Sequence, residues 1–530
     1  MTHSRPSPLT CPPSRTPLPR NRARARARRA LWRLLPLALP AALLGGCMVG
    51  PNYHRPSAIV SARFKELQPA PGWERAAPQM ASLPKHDWWT IYNDPILNGL
   101  ESQVAVSNQN VKEYEANYRS ARAMIDSVRA QLFPTISGSL GFNRNAHGAG
   151  SLSSSGSSLY GKSQYNTYDI GPSASWDLDV WGKIRRQIQQ QVTTAQASAA
   201  DLANATLSYQ AQLATAYFNL RYQDSLHDLL ERYVRFNEQA LQITQNQYDA
   251  GTADPTAVLQ ARTTLEQNRA ALVQTGVARA QYEHAIAVLI GKPPADLTIA
   301  AGELTRTIPP IPVTVPADLL QRRPDIASAE RAMEEYNAQI GVDIAAFFPD
   351  ITITASFEQS GGDPVTSLMS AANRIWSLGA AATETLFSGG SRTAAVHEAN
   401  AQYDAAVATY RQTVLTALQS TEDSLSNLRI LAQQQEQQQK ALEFANRSVE
   451  VALNQYKAGT EIYTTVITNE TSALSDAENV LSIQQQRVVD SVNLVEALGG
   501  GWDVSRLPTK ASLQKDNPFL PSFIQKDKNQ

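Results

Sequence analysis

Side chains that commonly carry chemistry are few in this 530-residue chain and poorly placed for catalysis. Its seven histidines are scattered, and no HExxH pair is present to seat zinc. Neither a Gly-rich phosphate loop nor a GxSxG elbow occurs, so nothing points to nucleotide or acyl-enzyme chemistry. There are two cysteines, and Cys11 lies in a stretch read below as removable, which leaves Cys47 as the thiol of the mature chain. One thiol cannot make an intrachain disulfide or a Cys-based zinc site. At the end of an apolar run it can accept a lipid. The expectation is no catalytic residue, no metal, and no cofactor beyond a covalent lipid on Cys47.

The segment before Cys47 explains that choice. Residues 1–46 carry nine Arg and no acid; the remainder holds 38 basic and 48 acidic residues, a balance of −10. The cluster Arg22–Arg29 could be a nucleic-acid patch. It is followed at once by the apolar stretch Leu31–Leu44 and then by Gly45-Gly46-Cys47. Charged, apolar, then small residues before a cut site describe a secretory signal peptide, so no nucleic-acid partner is expected. Leu44-Gly45-Gly46-Cys47 resembles the bacterial lipobox, and Met48 after the Cys points to the outer membrane. The chain has no run of 18 uninterrupted apolar residues, so any membrane crossing must be made by strands.

The rest of the chain is duplicated. Lys183–Ala250 and Ser391–Ala458 are free of Gly and Pro; each is about 68 residues, or roughly 100 Å as helix. Adding 208 to Gly251 gives Gly459, and to Gly291 gives Gly499. Gln247-Tyr248-Asp249-Ala250-Gly251-Thr252 aligns with Gln455-Tyr456-Lys457-Ala458-Gly459-Thr460. Both runs are rich in Ala, Gln, Leu and Glu, which favour helix. Leu202, Tyr209, Leu213, Ala216 and Leu220 fall at heptad-like spacing, as do Val407, Tyr410, Val414 and Ala417, which predicts coiled-coil seams. Pro255–Ile290 and Glu461–Leu498 read as return helices, making two long hairpins with Gly251 and Gly459 at their tips.

A strand-like pair precedes each long helix: Phe133–Phe142 with Tyr168–Trp181, and Phe348–Phe357 with Ile375–Phe387. Pro134 and Pro349 are offset by 215 rather than 208, so seven residues must differ in the loop or its flanks. Strands of about ten residues can cross a bilayer when tilted. Four strands cannot close a barrel, and an open edge in lipid is energetically forbidden. A membrane location therefore requires oligomerisation: two copies give eight strands and three give twelve.

This arrangement resembles the TolC-like outer membrane efflux proteins, in the lipoprotein branch that serves resistance-nodulation-division tripartite pumps (NodT/OprM-like). Several motifs carry the resemblance: the lipobox followed by Met48-Val49-Gly50-Pro51-Asn52-Tyr53-His54-Arg55-Pro56, and Trp88-Trp89 with Tyr92, Asp94, Leu97 and Leu100. Arg322-Arg323-Pro324-Asp325-Ile326, Ala329-Glu330, Ile340-Gly341 and Phe347-Phe348-Pro349 complete the set. The resemblance implies a homotrimer with a twelve-stranded barrel, a periplasmic helical tunnel, and a periplasmic adaptor docking at the tips. Those tips would be Tyr248, Gly251, Thr252, Tyr456, Gly459 and Thr460. Thr464, Thr468 and Thr471 stand where such proteins often carry bulky and charged aperture residues, so a weaker or differently placed constriction is expected.

The fold class is thus mainly α with membrane strands: tandem-duplicated coiled-coil hairpins plus four strands per protomer toward a twelve-stranded trimeric barrel. The expected division is a signal peptide (1–46), a lipidated extended segment (47–86), a first repeat (87–300), a second repeat (301–502) and a tail (503–530). Within the repeats the strand hairpins are placed at 133–181 and 348–387, and the helical hairpins at 183–290 and 391–498. The expected function is a passive efflux duct fed by an inner-membrane pump and embedded in outer-membrane lipid. A type I protein-secretion duct and a structural coiled-coil lipoprotein or adhesin are the alternatives.

Overall fold

The computed structural model describes residues 48–58, 60–67, 87–147, 163–313 and 315–514. The basic leader, Cys47, the Gly/Ser loop at 148–162 and the tail beyond 514 lie outside the described residues. After a turn at Trp88–Tyr92, the first repeat contains α1 (Pro95–Ser107), α2 (Gln109–Ala130), β1 (Thr135–His147) and β2 (Ser163–Leu178), followed by α3 (Lys183–Asp249) and α4 (Pro255–Leu289). The second contains a helical turn at Leu319–Arg322, α5 (Pro324–Ala345), β3 (Asp350–Gly361), β4 (Arg374–Thr383), α6 (Ser391–Lys457) and α7 (Tyr463–Ala497).

Duplication is visible in the element lengths. Helices α3 and α6 each have 67 residues, and α4 and α7 each have 35. The offset is 215 at the start of α2 and α5 (324 − 109) and 208 at the start of α3 and α6 (391 − 183). The seven-residue difference therefore falls within the strand hairpins. No described helix is long and apolar enough to cross a membrane.

Strand ends differ from the sequence expectation. β1 extends to His147, because its pairing with β2 continues through Asn143↔Thr167 and Asn145↔Tyr165 regardless of polarity. The aromatic residues read as the helix-side ends of strands form the junction instead. Trp181 stacks on Phe348 with ring centroids 4.9 Å apart and donates its indole N–H to the Pro349 carbonyl at 2.9 Å. β4 stops at Thr383, leaving Leu386 and Phe387 94% and 88% exposed in the single chain.

The main core lies where α1 and the ends of α4 and α7 meet the middle of α3. Trp88, Leu97, Tyr217, Leu220, Ile286 and Val492 are all buried there. Fully burying a side chain of this kind contributes about 1.5–3 kcal/mol. The sequence motifs find local reasons here. Asp94 caps α1 by accepting from the Ile96 and Leu97 amides, and it also accepts from the Tyr217 hydroxyl at 2.5 Å. Arg323 grips Asp325 through two hydrogen bonds and donates to the Ala497 carbonyl at 2.8 Å, closing the end of α7.

A polar clamp fastens the linker between repeats to the first hairpin. Asp224 of α3 accepts from Arg221, from Arg279 of α4 and from the Gly302 amide. Arg221 also donates to the Ala300 carbonyl, and Arg279 to the Ile299 carbonyl.

The N-terminal segment is a strap laid across both repeats. Val49 donates to the Trp181 carbonyl, and Arg186, with 0% exposure, donates to the Val49 and Gly50 carbonyls and to Asn52. Farther along, Arg55 pairs with Glu330 at 3.2 Å and Glu66 with Arg429 at 2.5 Å.

Candidate functional site

The four strands form one antiparallel sheet in the order β1-β2-β3-β4, so β1 and β4 are free edges within one chain. Residues directly opposite in the ladder share a face, and successive residues alternate faces. Following the register from Leu140 leads to Ile170; on the same face Trp176 lies opposite Ile353, and Phe357 opposite Trp376. Every one of these side chains is apolar or aromatic, and the face turns polar only toward one end, where Gln359 stands opposite Ile170 and Arg374 opposite Gln359. On the other face Ser137 bonds Ser173, Thr352 bonds Asp177, and Ser356 bonds Ser377. The apolar face has no cover in the single chain: Leu140 is 81% exposed and Trp376 73%. A sheet with one bare apolar face, one hydrogen-bonded polar face and two open edges is built to sit in lipid and enclose water once its edges are paired.

At the far ends of the long helices the two tips share one geometry. Gly251 and Gly459 both adopt φ +73°, and no heavy atom lies within 4 Å of where a Cβ would sit. Glycine is needed there for the left-handed backbone and not for space. Thr252 donates its amide to the Gln247 carbonyl at 2.8 Å, and Thr460 to Gln455 at 3.0 Å, closing each helix in a Schellman turn. The restart of each hairpin differs. Asp254 caps α4 through the Thr256 amide at 2.7 Å, whereas the first turn of α7 is tied by Glu461, which accepts from the Ile462 amide and the Thr465 hydroxyl.

The paired tyrosines diverge. Tyr248 is 43% exposed, but Tyr456 is 6% exposed and lies against Tyr463 with centroids 5.1 Å apart. Its hydroxyl donates to Thr244 at 3.3 Å. Tyr456 supports the tip from inside, and Tyr248, Gly251, Thr252, Gly459 and Thr460 form its outer surface.

Thr464, Thr468 and Thr471 share one exposed face of α7. Thr464 donates to Gln260 of α4 at 3.3 Å, while Thr468 and Thr471 donate back to the Thr464 and Ile467 carbonyls at 2.9 Å. Among the described residues no ion pair involves α7.

Cys47 lies outside the described residues, but its neighbour is placed. Met48 rests on Gly182, whose φ is +81°; a Cβ on Gly182 would come within 2.8 Å of the Met48 side chain. That is the point where β2 gives way to α3.

Sequence reasoning missed one polar pair near the tips. Asn237 of α3 and Glu470 of α7, 0% and 2% exposed, meet between the two hairpins. The heptad carried the signal: Tyr463, Val466, Glu470, Ala473 and Ala477 alternate by three and four, placing a carboxyl in a core seam.

Comparisons with known proteins agree with this geometry. Residues 100–292 and 315–500 match the family described as outer membrane efflux protein, one stretch in each repeat. The solvent efflux pump outer membrane protein SrpC of Pseudomonas putida is 30% identical over 465 residues, covering 88% of this chain and 97% of that protein. The probable efflux pump outer membrane protein TtgC of Pseudomonas putida is 29% identical over 470 residues, covering 88% of this chain and 96% of that protein. Among solved structures, the outer-membrane channel OprN superposes with a TM-score of 0.77 at 27% identity, over 86% of this chain and 100% of that one. Matched in both repeats and along nearly the whole of its relatives, the chain belongs to the outer membrane efflux protein family.

Proposed function

We propose that three copies of this chain close a twelve-stranded barrel in the outer membrane and form a passive duct through which an inner-membrane pump expels small toxic molecules. The bare apolar face of an open four-stranded sheet carries the reading. Its edges at β1 and β4 must be paired before lipid can surround it, and three copies supply twelve strands. Helices α3 and α6, about 100 Å long, continue away from the barrel as a periplasmic tunnel. A periplasmic adaptor docks on the outer tip surface at Tyr248, Gly251, Thr252, Gly459 and Thr460. Thr464, Thr468 and Thr471 line the aperture, where neutral hydroxyls, bonded to Gln260 or back to α7, make no charged lock.

The cargo is a small molecule of the solvent, antibiotic or metal-cation kind, since the relatives bear names for solvent, toluene, antibiotic and cation efflux. The duct is not an enzyme; the driving force belongs to the pump. Cys47 carries a lipid, a placement supported by Met48 lying at the foot of the barrel, where an acyl chain on the preceding residue meets the inner leaflet. The strands still supply most of the membrane attachment.

The test is the purified, detergent-extracted protein. It should migrate as a heat-modifiable trimer and conduct ions across a planar bilayer. A monomer without conductance would overturn the reading in favour of a structural lipoprotein. Cys47→Ala should lose lipid processing yet keep some trimer in the membrane; full release into the periplasm would remove the embedded barrel.

A further inference from the structure

Glu470 interrupts the seam between the two hairpins close to the tips. Its neighbours on that seam, Tyr463, Val466, Ala473 and Ala477, are aromatic or aliphatic and buried. Opposite it on α3, Asn237 spends both amide hydrogens: one goes to the Tyr233 carbonyl at 2.8 Å, the other to Glu470 Oε1 at 2.5 Å. Glu470 Oε2 and Asn237 Oδ1 are both buried and without a hydrogen-bond partner. A carboxylate leaves this pair two acceptors and no donor between them, a costly arrangement away from water, and the buried Tyr463 hydroxyl on the same seam hydrogen-bonds neither oxygen. A carboxylic acid resolves the count, because its single proton can be donated from Oε2 to the amide oxygen of Asn237.

The surroundings favour the acid. Among the described residues no Lys, Arg or His pairs with Glu470. The titratable groups around it are Tyr233 from α3, beside Arg232, and Tyr463 from its own helix, with Asp476 and Glu478 farther along α7. α6 contributes Tyr456, set against Tyr463, and no charged group of α4 or α6 acts on Glu470. Burial pushes its carboxyl up to about 7, against the opposing effect of the Asn237 hydrogen bond. Nor is the pair a residue of the duplication. By the 208 offset the first-repeat counterpart of Glu470 is Arg262, an exposed side chain that reaches Gln245, and the counterpart of Asn237 is Ala445.

We propose that Glu470 is a proton-binding site that holds the tip of the second hairpin against the first, and that losing the proton releases the tip. An ionised carboxylate there has no cation to meet, so it must draw in water or leave the seam, and either route parts α7 from α3. A solvated carboxyl titrates near 4.5 and the packed one near 7, so between these values the packed state holds the extra proton. The contact is therefore full below pH 4.5, weakens as pH rises through the window, and stays weak above 7. Within the window the ratio of packed to released tips changes by at most about tenfold per pH unit in each protomer. The effect on a duct rests on the channel reading above, while the proton-held contact does not.

The test is maleimide labelling of Val466→Cys, one turn from Glu470, in the purified full chain between pH 4.5 and 8. Rates are taken relative to the exposed Thr468→Cys, which cancels thiol titration. The relative rate should rise through the window and then level off. It should be flat with Glu470→Gln, whose amide reproduces the acid–amide pairing, and flat with Glu470→Leu, which makes the seam apolar. A flat profile in the unaltered background, or an unchanged rise in both variants, overturns the proposal. Bilayer conductance with the tip side titrated over the same range should rise with labelling; flat conductance beside titrating labelling overturns the release of the tip. No conductance at any pH, with labelling still titrating, counts against the channel and leaves the proton-held contact standing.

Discussion

Leu378→Arg should strip the assembled protein from the outer membrane, while Ser377→Arg, one residue earlier, should leave it assembled. Both lie mid-strand in β4, and alternation sends them to opposite faces. Leu378 is 72% exposed in the single chain and stands opposite Ala355 on the apolar face. Ser377 stands opposite Ser356 and shares a 2.8 Å hydrogen bond with it on the polar face. An arginine near the bilayer midplane on the lipid side costs about 2–4 kcal/mol per copy, or roughly 6–12 kcal/mol in a trimer. Losing the serine pair costs about 1 kcal/mol per copy, and an arginine in the lumen keeps its water. Heat-modifiable trimer in outer-membrane fractions reads the difference. Equal yields, or the greater loss for Ser377→Arg, would put lipid on the other face.

Asp224→Ala should strongly destabilise the helical part of the chain. Asp224 is 5% exposed and accepts from Arg221 at 3.1 Å, Arg279 at 2.6 Å and the Gly302 amide at 3.0 Å. Arg221 is buried as well, so removing the acid strands a guanidinium in the core. Breaking a buried pair in this way costs about 3–5 kcal/mol. The damage should start at the inter-repeat linker, whose Ile299, Ala300 and Gly302 backbone groups hang on the clamp. Thermal unfolding should therefore shift down, and limited proteolysis should cut the linker before either long hairpin. Asp224→Asn, which keeps an acceptor, should lose less. If Ala and Asn variants melt with the parent chain, the clamp is not what fixes the linker.

Much of the architecture was legible because long helices leave a crude signal. Sixty-odd residues without Gly or Pro between Gly182 and Gly251 can hardly be anything else, and the 208 offset transfers the conclusion to the second repeat. The tips were legible because Gly251 and Gly459 each supply a left-handed φ that a helix end needs. Strand ends were not, since Phe133, Trp181 and Phe348 look like strand residues until the junction packing is known. Tyr248 and Tyr456 occupy equivalent positions in sequence, yet only the packing of one hairpin on the other buries the second. Arg185 and Arg186 are equally indistinct in sequence. The first turns to Asp179 at 3.0 Å, and the second disappears under the strap. Glu470 was readable from the heptad, but its partner lies 233 positions away on α3.

The strap also has a consequence in time. Its contacts join Val49 to Arg186 across 137 positions, and Glu66 to Arg429 across 363. Closures this long are the slowest a chain makes. The strap, although it precedes both repeats in the chain, is therefore among the last parts to settle, because its partners on α5 and α6 arrive only in the second half of the chain. A chain cut short after the first repeat leaves Arg55 and Glu66 without Glu330 and Arg429. The seated strap thus records that both halves have been made and have found each other.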